Sequence, residues 1–159
     1  QRRYSKRAGK WIEKLIEEVR IMIFEMEVLI QKALTSNHKI VNYVAKTKQG
    51  YPNIGANRVP HGVFPLIEYH QIYGSDEQFG DDRLLSRKMS FQVGIYSEEY
   101  DYYEIQNEVD REMRKLGFTC YRDYTYTMDD TKVIHRIFSY SISINARMYQ
   151  QLLRKWRVK

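Results

Sequence analysis

The fold is decided within residues 85–117, LSRKMSFQVGIYSEEYDYYEIQNEVDREMRKLG, where the period of the apolar residues changes. In the first part they alternate with polar residues, which predicts a strand over Leu85–Tyr96 with one buried face. Beyond Ser97 they recur at steps of three and four, which predicts a helix that ends at Gly117. Ser97 is the expected N-cap of this helix, because its hydroxyl can accept a hydrogen bond from a free amide of the first turn.

Further elements are predicted on both sides of this stretch. Strands are expected at Phe64–Tyr73, Phe118–Tyr126 and Val133–Ile144, and helices at residues 11–34, Asn37–Ala45 and 146–157. Gly74–Asp82 and Met128–Thr131 are expected to be turns, and residues 46–63 an irregular loop. Two hairpins separated by a helix predict an α+β fold. Its four-stranded, mainly antiparallel sheet carries a long N-terminal helix and one central helix, and a short C-terminal helix follows.

The chain has 159 residues, which is enough for one domain. Residues 1–10 and 147–159 hold ten of the 26 Lys and Arg residues and none of the 20 Asp and Glu residues. We therefore expect a basic N-terminal extension at 1–10, a single α+β domain at 11–145 and a basic C-terminal segment at 146–159. The remaining 16 basic residues against 20 acids make the domain mildly acidic. Basic ends can contact phosphate or an acidic protein neighbour.

No motif in the sequence assigns a catalytic chemistry. The nucleotide-binding patterns GxxxxGK[ST] and GxGxxG are absent, and the single cysteine, Cys120, excludes an internal disulfide and a cysteine-based zinc cluster. Glu68 and His70 share one strand face, with His135 as a conceivable third metal ligand, but two solvent-facing polar residues are the simpler interpretation. We expect no enzymatic activity, no cofactor and no metal. No stretch of about 18 uncharged apolar residues predicts a membrane span.

Tyrosine is unusually frequent, with 14 residues against six phenylalanines. Five tyrosines lie on or near the predicted strands: Tyr96, Tyr121, Tyr124, Tyr126 and Tyr140. Such rings beside basic tails can stack nucleobases, although no RNP-like signature is present. Tyrosine is also enriched at protein–protein interfaces, because it buries area and keeps a polar tip. We favour the interface, and a nucleic-acid-binding module that uses the basic tails and surface tyrosines is the alternative.

The N-terminal helix carries an apolar stripe that is wider than one buried face requires. Its central line is formed by Trp11, Leu15, Val19, Met22, Met26, Leu29 and Ala33. Four isoleucines widen the stripe: Ile12, Ile16, Ile23 and Ile30. A stripe of this width indicates burial on more than one side, and a neighbouring subunit can cover the second side.

Four segments in a fixed order carry a family resemblance. They are VFPLIEYHQI (63–72), FGDDRLLSRKMSFQVGIYS (79–97), YEIQNEVDREMRKLGF (103–118) and DYTYTMDDTKVIHRIFSYSI (123–142). With these segments, residues 37–144 resemble the tail terminator family of long-tailed bacteriophages, also called tail completion or tail-to-head joining proteins. The resemblance implies a structural virion protein at the junction of tail and neck. Its subunits form a ring that caps the tail tube and joins it to the head-neck complex, after assembly in the host cytoplasm.

The same resemblance implies the partners. They are five further copies in a homo-hexamer, the tail tube protein, and a neck or head completion protein, while DNA passes through the lumen without specific binding. A mildly acidic body suits such a lumen, because like charges repel. The expected contact residues lie in two acidic hairpin loops: Asp76, Asp81, Asp82 and Arg83 in the first, and Met128, Asp129 and Asp130 in the second. We expect Asp82 and Arg83 to pair across a subunit boundary.

Overall fold

A computed structural model describes residues 2–57, 62–80 and 83–157. Within them the helices are α1 (Arg2–Thr35), α2 (His38–Tyr43), α3 (Tyr103–Lys115) and α4 (Ala146–Arg157). The strands are β1 (Ile54–Ala56), β2 (Leu66–Gly80), β3 (Arg83–Ser97), β4 (Thr119–Thr127) and β5 (Ile134–Asn145). The α+β class is confirmed, with two hairpins separated by the central helix.

The sheet has five strands in the order β1-β2-β3-β5-β4, so the prediction of four strands was incomplete. The strand that was missed, β1, pairs with β2 in parallel and makes the sheet mixed. It has three residues and lies inside the expected loop 46–63, where glycines and prolines hide any alternation. The other neighbours pair antiparallel, as expected.

The β2–β3 hairpin is longer than the sequence suggests. The prediction of a turn over Gly74–Asp82 was wrong from Gly74 to Gly80, because β2 continues through these residues. Asp76 lies on this strand opposite Arg87 and forms an ion pair with it. Gly74 leaves room for this pair, since a Cβ atom there would come within 2.3 Å of the Arg87 guanidinium. The polar composition that indicated a turn belongs to a two-stranded ribbon that carries its own ion pair.

The main hydrophobic core lies between the helices and one face of the sheet. That face contributes alternate residues of the two central strands, which include Phe91 and Val93 of β3 and Phe138 and Tyr140 of β5. Helix α3 is fixed to the sheet by the Tyr140 hydroxyl, which donates to the Asp110 carboxylate at 2.8 Å. These contacts fix the positions of the two hairpins relative to the helices.

Helix α3 does not begin at Ser97, and that predicted N-cap was wrong. The helix begins at Tyr103, six residues later. The Ser97 hydroxyl closes the preceding turn instead, since it accepts from the Glu99 amide at 3.1 Å and lies 2.9 Å from an Asp101 carboxylate oxygen. The acids after Ser97 are therefore partners of a turn, and only Glu104 lies in the first turn of the helix.

Helix α2 is capped by Asn37, as predicted. The Asn37 side-chain oxygen accepts from the amides of Lys39 and Ile40, at 3.1 and 3.3 Å. Its side-chain nitrogen donates to Glu108 at 3.0 Å and to Glu112 at 3.1 Å, both buried on α3. This hydrogen bond, with nearby cations, holds the pKa of Glu108 below its ordinary value. One side chain thus caps α2 and fastens it to α3.

We predict that Asn37→Ala lowers the free energy of unfolding by at least about 1 kcal/mol, the usual cost of a lost N-cap. The effect exceeds that of an isolated cap, because Glu108 and Glu112 lose a donor as well. Urea unfolding followed by circular dichroism measures it. Asn107→Ala removes the same group from an exposed site on α3 and should change stability by less than about 0.5 kcal/mol. Equal stability of the Asn37 variant and the wild type would contradict the prediction.

Candidate interaction surfaces

The two hairpin loops that were predicted to contact partners lie at opposite ends of the sheet. The tip of the first hairpin lies between Gly80 and Arg83, where β2 and β3 still pair. The second loop precedes Ile134, which pairs with Ser97 at the other end of β3. The 15 residues of β3 between these ends span roughly 45 Å at the usual rise of a strand. The structure therefore separates the predicted residues into two distant groups.

The first group is only partly described. Asp76 lies on β2 and is engaged by Arg87, so it is not a loop residue. Asp81 and Asp82 lie outside the described residues, and of Arg83 only the backbone is described. The expected pairing of Asp82 with Arg83 between subunits stays a prediction.

The second group forms a tight and exposed turn. The Met128 amide donates to the Val133 carbonyl at 3.0 Å, and Lys132 adopts a positive φ of 60° to close the turn. Asp129 and Asp130 are exposed, and Met128 is exposed between the turn and β4. This turn presents two carboxylates and one flexible apolar side chain on a fixed backbone.

A third surface was not among the predicted site residues, and we call it the arm. It consists of the first two thirds of α1 (residues 2–24) and the outer part of the β2–β3 hairpin (residues 74–80 and 83–86). Its two parts meet where the Trp11 and Phe79 rings lie 6.4 Å apart. None of the described side chains from Arg7 to Glu25 is buried, whereas Met26 and four later residues of α1 are. The arm thus extends beyond the main core.

Large apolar side chains of the arm are exposed to solvent. On α1 they are Ile12, Ile16, Ile21 and Phe24, and on the hairpin they are Phe79 and Leu85. Single exposed apolar residues are ordinary on protein surfaces, but a concentration on one projecting element marks an interaction site. The wide stripe on α1 was the sequence signal for this surface. The apolar residues of the hairpin gave none, because that stretch reads as a polar turn.

A row of aromatic rings lies on the face of the sheet opposite the main core. Tyr96 contacts His135 edge-on at 4.5 Å, and His135 contacts Tyr126 at 4.6 Å. Tyr124 stacks on Tyr126 at 5.9 Å, and the Arg122 guanidinium lies 5.0 Å from the Tyr124 ring. Three of the five tyrosines singled out in the sequence therefore lie together.

The other two tyrosines are placed differently. Tyr140 is buried in the main core and cannot contact a partner. Tyr121 is exposed at the irregularity between Cys120 and Arg122, where β4 changes its register against β5. Neither contributes a ring to the aromatic row.

The row covers a small apolar patch of its own. Leu66 and Ile137 are buried without belonging to the main core. Gly94 allows the Tyr96 ring to lie flat on the sheet, since a Cβ atom there would come within 2.7 Å of the ring. Burial raises the pKa of Tyr96 to about 12, and the Glu68 carboxylate adds to the rise. Burial also lowers the pKa of His135, whose Nδ1 atom makes no hydrogen bond within the described residues.

The described residues do not assemble a metal site. No group of three His, Cys, Asp or Glu side chains in this part of the chain is placed to hold an ion. Cys120 is a free, partly buried thiol that packs against the core, and burial raises its pKa, which disfavours the reactive thiolate. None of the four described helices has the length and hydropathy that crossing a membrane requires.

We predict that His135 makes stability fall at mildly acidic pH. Histidine in an unfolded chain titrates near pH 6.5. Folded His135 binds its proton only at lower pH, so the unfolded chain holds more protons in the interval between. The free energy of unfolding therefore decreases as the pH falls below about 6.5.

His135→Phe keeps an aromatic ring between Tyr96 and Tyr126 and removes the titration. Urea unfolding at pH about 7.5 and about 5.5 should show a smaller decline for this variant than for the wild type. His38→Phe, at an exposed position on α2, should leave the decline unchanged. The same decline in the wild type and the His135 variant would show that another group is responsible.

No protein-family model and no curated protein matches this sequence. Sequence similarity therefore assigns neither a family nor a function. The arm, the two hairpin loops and the aromatic row are the features of the molecule that bear on its function.

Proposed function

We propose that the protein is a structural virion protein, a tail terminator or tail completion subunit. Copies of it form a ring, with six as the expected number, that caps the tail tube and joins it to the head-neck complex. DNA passes through the lumen without specific binding. The role requires no catalysis, and its place is the junction of tail and neck.

One observation carries this proposal: the arm presents apolar side chains that the described residues do not cover. Ile16 and Phe24 are 54% and 65% exposed, although both lie on a helix whose later residues form the main core. Burying one such side chain against a partner contributes about 1.5–3 kcal/mol. A subunit that is built to contact copies of itself accounts for this surface, and an isolated globular domain does not.

The positions of the hairpin loops favour a subunit within a longitudinal stack. A ring between a tube and a neck needs one contact surface toward each neighbour. The second loop, with Asp129 and Asp130, and the Gly80–Arg83 pair of the first hairpin lie at opposite ends of the sheet. We assign one loop to each axial partner.

The aromatic row supports a second candidate function, a nucleic-acid-binding module. Tyr124 and Tyr126 present stacked rings beside Arg122, and base stacking on aromatic rings contributes about 1–3 kcal/mol per base. However, Tyr96 and His135 are engaged with each other, and the row lies beside Glu68. The ring subunit therefore remains the preferred proposal.

The mass of the purified protein distinguishes the two functions. We predict a particle of about six times the 19.2 kDa monomer, or monomers that form rings on the ends of assembled tail tubes. Light scattering and negative-stain imaging with and without tubes give the answer. A monomer that does not bind tubes but binds DNA would favour the nucleic-acid module. Its affinity for DNA would then fall steeply with salt.

We predict that charge reversal at either hairpin removes one axial partner and leaves the ring intact. Asp130→Lys changes the second loop, and Glu77→Lys changes an exposed position near the tip of the first hairpin. Each variant should keep the mass of the wild-type ring, because neither side chain belongs to the exposed apolar set of the arm. Pull-down with tail tubes and with the neck protein should show that the two variants lose different partners. Loss of the ring itself in either variant would contradict this assignment.

A further inference from the structure

The exposed isoleucines of the arm continue a line of side chains that is buried farther along α1. Ile16, Ile23 and Ile30 are spaced by seven residues and therefore lie on one face of the helix. Their exposure falls from 54% at Ile16, through partial burial at Ile23, to 0% at Ile30, where the main core covers them. Ile12, 48% exposed, extends the same face outward. We call the uncovered part, Ile12 and Ile16, the ridge.

The opposite flank of α1 borders a groove of about 420 Å³ between α1, β3 and α4. Its apolar lining includes Ile21 and Met22 of α1, Leu85 of β3, and Ala146 and Tyr149 of α4. Ile21 and Leu85 remain largely exposed inside it. The groove is held in shape by the Tyr149 hydroxyl, which donates to the Glu25 carboxylate at 2.7 Å.

The ridge and the groove face in different directions. At about 100° per residue, Ile12 and Ile21 lie about 180° apart around α1, and Ile16 and Ile21 about 140°. The ridge of one chain therefore cannot enter its own groove, because α1 stands between them. A projecting surface on one side of a subunit and a recessed surface on the other are the elements of a head-to-tail interface, which forms a ring when the rotation between neighbours closes.

Charges of both signs lie beside each surface, so an acid of one can meet a base of the other. Glu13 and Arg20 lie beside the ridge, where Arg20 also approaches Glu17 at 3.8 Å, and Lys14 and Glu18 lie beside the groove. Lys14 and Glu18 approach each other to only 3.9 Å and are well exposed, so both can turn toward a neighbour. Exposed charges of this kind fix register and partner choice more than they add affinity.

We infer that the ridge of one subunit occupies the groove of the next, and that this contact closes the ring. The inference rests on the proposed ring and names the surfaces that form it. The occupant of the groove is α1 of a second copy of this chain, with Ile16 packed against Leu85 and Tyr149.

Complementation between two defective variants tests the inference. Ile16→Asp removes the ridge and Leu85→Asp removes the groove, each at a position that is about half exposed, so the fold is retained. Each variant alone should associate at least about tenfold more weakly than the wild type. Mixed together, they should form a dimer of about twice 19.2 kDa that cannot grow, because one intact ridge meets one intact groove.

Disulfide trapping detects the same contact and can also be applied to rings that form only on tubes. In a Cys120→Ser background, which removes the native thiol, Ile16→Cys with Leu85→Cys should give a ladder of covalent oligomers on oxidation. Phe24→Cys with Leu85→Cys is the control and should give none, because Phe24 lies about 80° from Ile16 around α1 and therefore outside the ridge.

The outcomes separate this inference from the proposed function. Rings that form but give no covalent ladder would overturn the ridge-to-groove contact, and so would variants that do not complement each other. Neither result would contradict the proposed ring. A Leu85→Asp variant that keeps its rings but loses tubes would assign the groove to an axial partner instead. Wild-type protein that forms no ring, alone or on tubes, would overturn the proposed function itself.

Discussion

The antiparallel pairing of β3 with β5 is the constraint on which the rest of the structure depends. These strands pair through consecutive residues from Ser86 to Ser97 without a register shift. The pairing joins the two hairpins into one sheet and makes both strands central, with β2 and β4 outside them. The chain passes from β3 to β4 through α3, so these two strands are not neighbours in the sheet. Strand β5 lies between them and pairs with both. A slip of one residue would exchange the two faces of the sheet.

The register of this pair also positions the candidate surfaces. Residues of β3 and β5 with one parity form the core, and those with the other parity carry Tyr96 and His135 to the open face. The direction of the strands places the second hairpin loop at the end opposite the first. In the proposed ring, the two loops at opposite ends serve the axial contacts and the exposed apolar flanks between them serve the lateral contacts.

The sequence predicts best the elements in which burial imposes a period. The strand at Leu85–Tyr96 and the C-terminal helix were predicted correctly, because one face of each packs against the core. The Asn37 cap was also predicted correctly, because its side chain has fixed partners. Strand β2 beyond Gly74 was missed, since a ribbon outside the core has no buried face to require alternation. Helix α1 begins at Arg2 rather than Trp11. The basic residues before Trp11 are compatible with a helix, but they give no signal for its first residue.

The candidate sites were less predictable, because they depend on pairs of elements that are distant in sequence. The groove joins Ile21, Leu85 and Tyr149, and no local pattern relates these three residues. The aromatic row depends on the register of β3, β5 and β4. The sequence showed that tyrosine is frequent, but not which rings lie together. The exposed apolar surface of α1 was indicated by its extra isoleucines, because their excess over one face of a helix is a local property.

The geometry of α1 gives the proposed ring a definite orientation. The helix runs along the β2–β3 hairpin, from Trp11 beside Phe79 near the tip to Met26 and the main core. Its ridge and groove therefore face sideways, across the direction of the strands. If neighbours join through these flanks, the strands run along the axis of the tail and the hairpin loops point up and down it. Lateral closure and axial docking then use different residues, so a subunit can complete its ring before, or without, engaging the tube and the neck.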